Sequence, residues 1–118
     1  MGKNIVIVDD ALFMRLMLKG VVEKNGHQVV GEGANGREGL EKYKLYQPDV
    51  VLMDITMPEM DGITALKQII EFDSKAVVVM VSAMGQENNV KEAIMAGAKN
   101  FVVKPFQEEK IIEVLNRL

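Results

Sequence analysis

Along this 118-residue chain, short unbroken apolar runs take turns with longer stretches in which apolar residues recur at helical spacing. The runs cover residues 5–8, 50–53, 77–81 and 101–103, with a weaker one at Val29 and Val30. Val- and Ile-rich runs of this kind predict parallel strands covered on both faces, because a half-exposed strand would alternate with polar residues. The segment 29–33 is shorter and more polar, which puts it at a sheet edge. Between the runs, Met14, Met17, Leu18, Val21 and Val22 fall on one helical stripe, with Arg15, Lys19, Glu23 and Lys24 on the other side. Ile63, Leu66, Ile69 and Ile70 repeat the spacing, as do Val90, Ala93 and Ile94, and then Ile111, Ile112, Leu115 and Leu118. Gly26 and Gly97 stand where a left-handed residue closes the first and fourth helices. Asp61 is placed to cap the third, and Pro48 blocks extension of the second. Asn35-Gly36 has hairpin composition, but the helical spacing after it predicts a strand-to-helix turn.

Five strand–helix units in strict alternation imply an open parallel sheet with helices on both faces. Right-handed crossovers, with two helices on one face and three on the other, favour the strand order 2-1-3-4-5. In such a sheet the ligand sits beyond the carboxyl ends of the strands, where the winding reverses. Here that point lies between the first and third strands.

Composition narrows the setting. The length fits one domain, 1–118, and 48% hydrophobic residues supply one core. The longest apolar runs, such as 76–81, are strand-sized, so no membrane span is predicted. The N-terminus runs straight into a strand, which is not the pattern of a secretory leader. The chain has no cysteine, which excludes disulfides and thiolate metal sites, and the whole points to the cytoplasm. A net charge of −3 leaves no basic footprint for nucleic acid.

Chemistry collects at the strand ends. The first strand ends in Asp9-Asp10, the third in Asp54, the fourth in Ser82-Ala83 and the fifth in Lys104-Pro105-Phe106. Three close carboxylates repel, and at neutral pH they either raise their pKa values or attract a cation. Oxygen ligands without His or Cys select a hard ion, and two carboxylates plus waters suit Mg2+. A carboxylate facing a phosphorus atom can act as nucleophile, while Lys104 neutralises one phosphoryl oxygen and Ser82 donates to another. Phosphoryl transfer by positioning and charge neutralisation is the predicted chemistry.

These residues, with Asp54 inside Met53-Asp54-Ile55-Thr56-Met57-Pro58-Glu59-Met60-Asp61-Gly62, resemble the receiver domains of two-component response regulators. The resemblance spans the whole chain, and Ser82-Ala83-Met84-Gly85-Gln86 draws it toward the stand-alone chemotaxis receivers. It implies a flavodoxin-like α/β fold, a doubly wound five-stranded parallel sheet of order 2-1-3-4-5. Asp54 is then the phosphoacceptor. Asp10, Asp54 and the backbone carbonyl of Thr56 hold Mg2+ directly, and Asp9 acts mainly through a water. Lys104 contacts the phosphoryl group across a cis bond to Pro105. Ser82 moves toward that group, and Phe101 rotates into the space it leaves. The readout surface is the fourth helix, fifth strand and fifth helix, including Lys91, Met95, Lys99, Phe101 and Val103.

The resemblance further implies a phosphoacceptor signalling protein, not an enzyme of a free substrate, with Mg-dependent self-phosphorylation and self-dephosphorylation. Its partners are a CheA-like histidine kinase, a flagellar motor switch protein and a phosphatase, and the chain acts as a monomer. A stand-alone phosphorelay receiver, or the receiver of a longer regulator, is the alternative. Two positions depart from the common pattern. Phe101 lacks the hydroxyl of the usual tyrosine. Thr56 and Met84, two beyond Asp54 and Ser82, stand where the family tunes hydrolysis of the phosphate; Met84 cannot orient a water, which predicts slow self-dephosphorylation and reliance on a partner phosphatase. A phosphatase with an Asp nucleophile fits less well, since it wants Asp-x-Asp where this chain has Asp9-Asp10-Ala11. A flavin module lacks its hydroxyl- and glycine-rich phosphate loop. His27 reads as an exposed helix-end residue, Tyr43 and Tyr46 as helix packing, and Met57, Met60, Met84 and Met95 as exposed soft surface.

Overall fold

The computed structural model of the protein describes residues 2–118. Its order is β1 (Asn4–Val8), α1 (Leu12–Lys24), β2 (Gln28–Gly33), α2 (Gly36–Tyr46), β3 (Val50–Asp54), α3 (Gly62–Phe72), β4 (Val78–Ala83), α4 (Glu87–Ala96), β5 (Asn100–Lys104) and α5 (Glu108–Asn116). The strands form one parallel sheet in the order β2-β1-β3-β4-β5, as the alternation and handedness of the units predicted.

The apolar runs explain the layering. Successive strand side chains point to opposite faces, so β1 sends Val6 and Val8 to one core and Ile5 and Ile7 to the other. The first core joins Val51, Met53 and Met80 to Leu66 and Ile69 of α3 and Ala93 of α4. The second joins Leu52 and Val79 to Leu18 and Val22 of α1 and to Ile111 and Leu115 of α5. Because both faces are covered, residues 5–8 are at most 1% exposed. β2 lies at the edge, half-buried, and its pairing to β1 skips Val30, a bulge between Ile5 and Val6.

The helix ends follow local chemistry. Asn35 caps α2 by accepting the Glu38 N–H at 2.9 Å, and Asp61 caps α3 by accepting that of Thr64 at 2.8 Å. Gly97 closes α4 with a φ of +117°. α2 stops at Tyr46, two residues before Pro48, with Gln47 between them in the left-handed region at φ +42°.

Several expectations about side chains need correction. Met17, Ile94 and Leu118, assigned to apolar stripes, are 37%, 43% and 40% exposed. Met57 is buried and Met60 half-buried, since the loop after β3 folds back over α3. His27 is half-buried: its Nδ1 accepts the Lys3 N–H at 3.1 Å, and burial pushes its pKa below the ordinary value. Tyr43 packs as expected, while Tyr46 stands 46% exposed.

The register sets the site. Val8 of β1 lies beside Met53 of β3, Asp54 beside Val81 of β4, and Ala83 beside Lys104 of β5. The residues just past these positions therefore share one rim.

Candidate functional site

Asp9, Asp10 and Asp54 each place a carboxylate oxygen so that all three lie within 4.8 Å of one another. Asp9 and Asp54 are buried, and Asp10 is exposed. The backbone fixes the buried pair. Oδ1 of Asp9 accepts the Ala11 N–H at 2.9 Å, and Oδ1 of Asp54 accepts the Ile55 N–H at 2.9 Å. Arg15, salt-bridged to Glu32 at 3.1 Å, donates to the Asp9 carbonyl at 2.6 Å and so holds the turn after β1.

Lys104 reaches in from the far strand. Its Nζ lies 3.1 Å from Oδ2 of Asp9 and 3.4 Å from Oδ1 of Asp54. The Lys104–Pro105 bond is cis, as the resemblance implied. Burial pushes the Asp54 carboxyl above its ordinary pKa, and the charge of Asp9 adds to the shift against Lys104 and the Ile55 N–H. Burial alone would lower Lys104. The hydrogen bond to Asp9 and the charges of Asp54 and Asp9 outweigh it and raise the ammonium. One cation thus faces three anions, and negative charge is left over.

Ser82 is 1% exposed, and its hydroxyl oxygen has no hydrogen-bond partner among the described residues. An unpaired buried hydroxyl costs about 1–3 kcal/mol, so it stands ready to bond a group that arrives. Phe101, in the next strand, is 38% exposed. Thr56 lies in the loop after β3, exposed, with its hydroxyl accepting Nε2 of Gln86 at 2.7 Å. Met84, in the β4–α4 loop, is 75% exposed.

Every residue singled out at the strand ends therefore lies on one rim. The structure adds residues that spacing did not reveal. Gly62 is one, for a Cβ there would fall on the Asp54 carbonyl oxygen. Its N–H donates to the Ile55 carbonyl at 2.7 Å and draws the loop tight against the strand end. Gln86 is another, quoted above only within Ser82-Ala83-Met84-Gly85-Gln86 and given no role there.

Residues 5–116 match the response regulator receiver domain. The chain belongs to the response regulator receiver family. The receiver is 57% identical to chemotaxis protein CheY of Thermotoga maritima, covering all of this chain and 98% of that protein. It is 56% identical to CheY of Bacillus subtilis over 99% of this chain and 98% of that one. In fold it resembles CheY in the crystal structure of the CheX–CheY–BeF3–Mg complex from Borrelia burgdorferi. That match has a TM-score of 0.93 and 41% identity, covering 97% of the receiver and 87% of the other chain. These likenesses place the receiver among two-component and chemotaxis signalling proteins, rather than classical enzymes. Among the described residues no helix is long and apolar enough to cross a membrane.

Proposed function

We propose that this single receiver, 1–118, takes a phosphoryl group on Asp54 and relays the change to a protein partner in chemotaxis. The observation that carries the reading is the buried Asp54 carboxylate, held between a three-acid cluster and Lys104, beside the unpartnered Ser82 hydroxyl. The donor set fits Mg2+: it is all oxygen, and the excess negative charge of its carboxylates calls for a hard cation. Asp10, Asp54 and the Thr56 carbonyl would hold the ion, with Asp9 acting through a water. When bound, Mg2+ supplies positive charge to the oxygens of the transferred group.

The protein's own atoms do the rest. Asp54 presents the oxygen that bonds to phosphorus. Lys104, close to both buried acids, neutralises a second oxygen, and Ser82 donates to a third. The added charge of nearly two favours an arrangement in which Ser82 has moved and Phe101 has turned inward. An apolar groove of about 640 Å3 links that event to the surface, lined by Met84, Val90, Ile94, Met95, Phe101 and Val103 and reaching Ser82. A flagellar motor switch protein is the proposed reader of this face, with Lys91 on the wall of the groove.

Leu12, Phe13 and Leu16 on α1 are more than half exposed just beyond Asp10, an apolar surface for a partner that delivers or removes the phosphoryl group. A CheA-like histidine kinase is the proposed donor, and the Borrelia complex suggests a CheX-like partner for removal. The chain would act as a monomer in the cytoplasm, and a phosphorelay receiver is the alternative reading. Intact mass after incubation with acetyl phosphate and Mg2+ tests the core of the proposal. Wild type should gain one phosphoryl group and Asp54→Asn none. An equal adduct on both removes Asp54 from its role.

A further inference from the structure

The edge strand β2 carries a bulge, and the bulge decides which way Glu32 points. Ile5 pairs with Val29, but Val6 pairs with Gly31 and Ile7 with Glu32, so Val30 is skipped. Neighbours across a strand pair share a face, and Ile7 faces the core that α1 covers, so Glu32 faces α1 as well. Without the skip Glu32 would pair with Val8, whose side chain joins the opposite core with Tyr43 of α2. The flanking glycines bear this out. A Cβ on Gly31 would meet Tyr46 and Lys42, and one on Gly33 would meet Glu38 and Gly39, all in α2. Bulges beside functional rims commonly re-aim a side chain in this way.

On the α1 side Glu32 meets Arg15, whose Nε lies 3.1 Å from Oε1. The same guanidinium donates from Nη1 to the Asp9 carbonyl at 2.6 Å. The other polar groups of Asp9 are already engaged. Its N–H donates to the Gly33 carbonyl at 3.0 Å, its Oδ1 accepts the Ala11 N–H at 2.9 Å, and its Oδ2 accepts Nζ of Lys104 at 3.1 Å. The carbonyl that Arg15 takes belongs to the peptide unit joining Asp9 to Asp10. That unit is planar, so holding its oxygen sets ψ of Asp9 and φ of Asp10, and with them the direction of the Asp10 side chain. Asp10 is the exposed acid of the cluster, so its aim comes from the backbone.

We propose that Arg15, stationed by Glu32, is a positioning residue of the cation site, fixing the Asp9–Asp10 peptide and so aiming the Asp10 carboxylate at Mg2+. This rests on the reading of the acidic rim as a Mg2+ site. Arg15 acts on a cation in two ways of opposite sign. Its charge lies near three acids and repels a cation, so losing the charge alone would tighten binding. Its bond to the Asp9 carbonyl prearranges a ligand, so losing the bond weakens binding. Groups directly behind a metal ligand are commonly worth tenfold or more in affinity. The repulsion is smaller, because Glu32 already neutralises a half-exposed guanidinium. Positioning outweighs charge.

The test is Mg2+ titration by isothermal calorimetry of wild type, Arg15→Ala, Glu32→Asp and the Arg15→Ala/Glu32→Asp pair, with circular dichroism to show that each is folded without Mg2+. Arg15→Ala should bind Mg2+ about tenfold more weakly. Glu32→Asp keeps the charge but is one methylene too short to hold Arg15 in place. It should weaken binding about threefold, the order of a single partly exposed ion pair. Charge alone predicts tighter binding for the first variant and no change for the second. In the Arg15→Ala background Glu32→Asp should add nothing, a coupling that a general loosening of the fold would not produce. Equal or tighter binding by Arg15→Ala, unchanged binding by Glu32→Asp, or an equal loss from Glu32→Asp in both backgrounds overturns the proposal. If Arg15→Ala does not fold, the charge-conserving Glu32→Asp decides by itself. Absence of Mg2+ binding by wild type would instead overturn the reading of the rim as a cation site.

Discussion

Tyr43 shows how a single buried hydroxyl ties two helix ends together away from the acidic rim. Its ring is 2% exposed, packs edge-on against Phe72 at 6.2 Å, and its hydroxyl donates to Oδ2 of Asp73 at 2.7 Å. Burial, then the Asp73 bond and charge, push the phenol well above its ordinary pKa of 10.0. The Tyr43 bond, then the Lys75 N–H, hold the Asp73 carboxyl below its ordinary 3.8. The two shifts act at opposite ends of the pH scale. A depressed carboxylate stabilises the fold above its unfolded pKa, and that gain is lost as pH falls through the acid range. A raised phenol stabilises below its unfolded pKa, and that gain is lost as pH rises past about 10 and the unfolded chain ionises first. Tyr43→Phe keeps the ring and removes both contributions. Its melting temperature should lie below wild type at pH 7, and the gap should narrow in acid and in alkali. A gap independent of pH would assign the loss to packing instead.

At the scale of elements, the strand–helix alternation was legible because burial on both faces leaves unbroken Val/Ile runs that no exposed strand would carry. The site was legible for a related reason. Parallel strands bring all their carboxyl ends to one rim, so Asp9, Asp10, Asp54, Ser82 and Lys104 meet although up to 95 positions separate them in the chain. What spacing could not show was the shape of the connecting loops. Met57 looked exposed because it follows a strand end in a polar stretch, yet the loop folds inward and buries it. Gly62 causes that fold, since only a residue without Cβ can sit against the Asp54 carbonyl. Gly62→Ala should therefore destabilise the protein by about 2 kcal/mol or more and slow acetyl-phosphate labelling, because the displaced backbone belongs to the acceptor residue. Gly20, inside α1 with nothing within 4 Å of a Cβ, is the contrast. Gly20→Ala should raise stability by roughly 0.5–1 kcal/mol and leave labelling unchanged. Denaturant melts and intact mass check both, and equal behaviour of the two variants would refute the steric argument.

Across the whole molecule, the fold carries a cost at its functional rim. Two buried carboxylates share one ammonium, and a third acid stands beside them, so like charges repel inside a partly desolvated site. Functional sites commonly hold such unfavourable charge, and removing it tends to stabilise the protein. Asp54→Asn keeps the volume and deletes one anion, so without divalent cations it should melt above wild type. A gain of about 1 kcal/mol would move the melting temperature by roughly 4 °C in a chain of this size. Mg2+ should then reverse the order of advantage. An ion that binds the folded state alone adds about 2.7 kcal/mol at a hundred times its dissociation constant. Wild type, with all three acids, should gain much of this on titration to millimolar Mg2+. Asp54→Asn, lacking a ligand, should gain little, and Ca2+-free NaCl at matched ionic strength should move neither curve by a comparable amount. Scanning calorimetry of the two proteins with and without Mg2+ measures all four melting temperatures. If the variant and wild type melt together in every condition, the acids neither strain the fold nor collect a cation. The rim would then be only a polar surface at the end of a sheet.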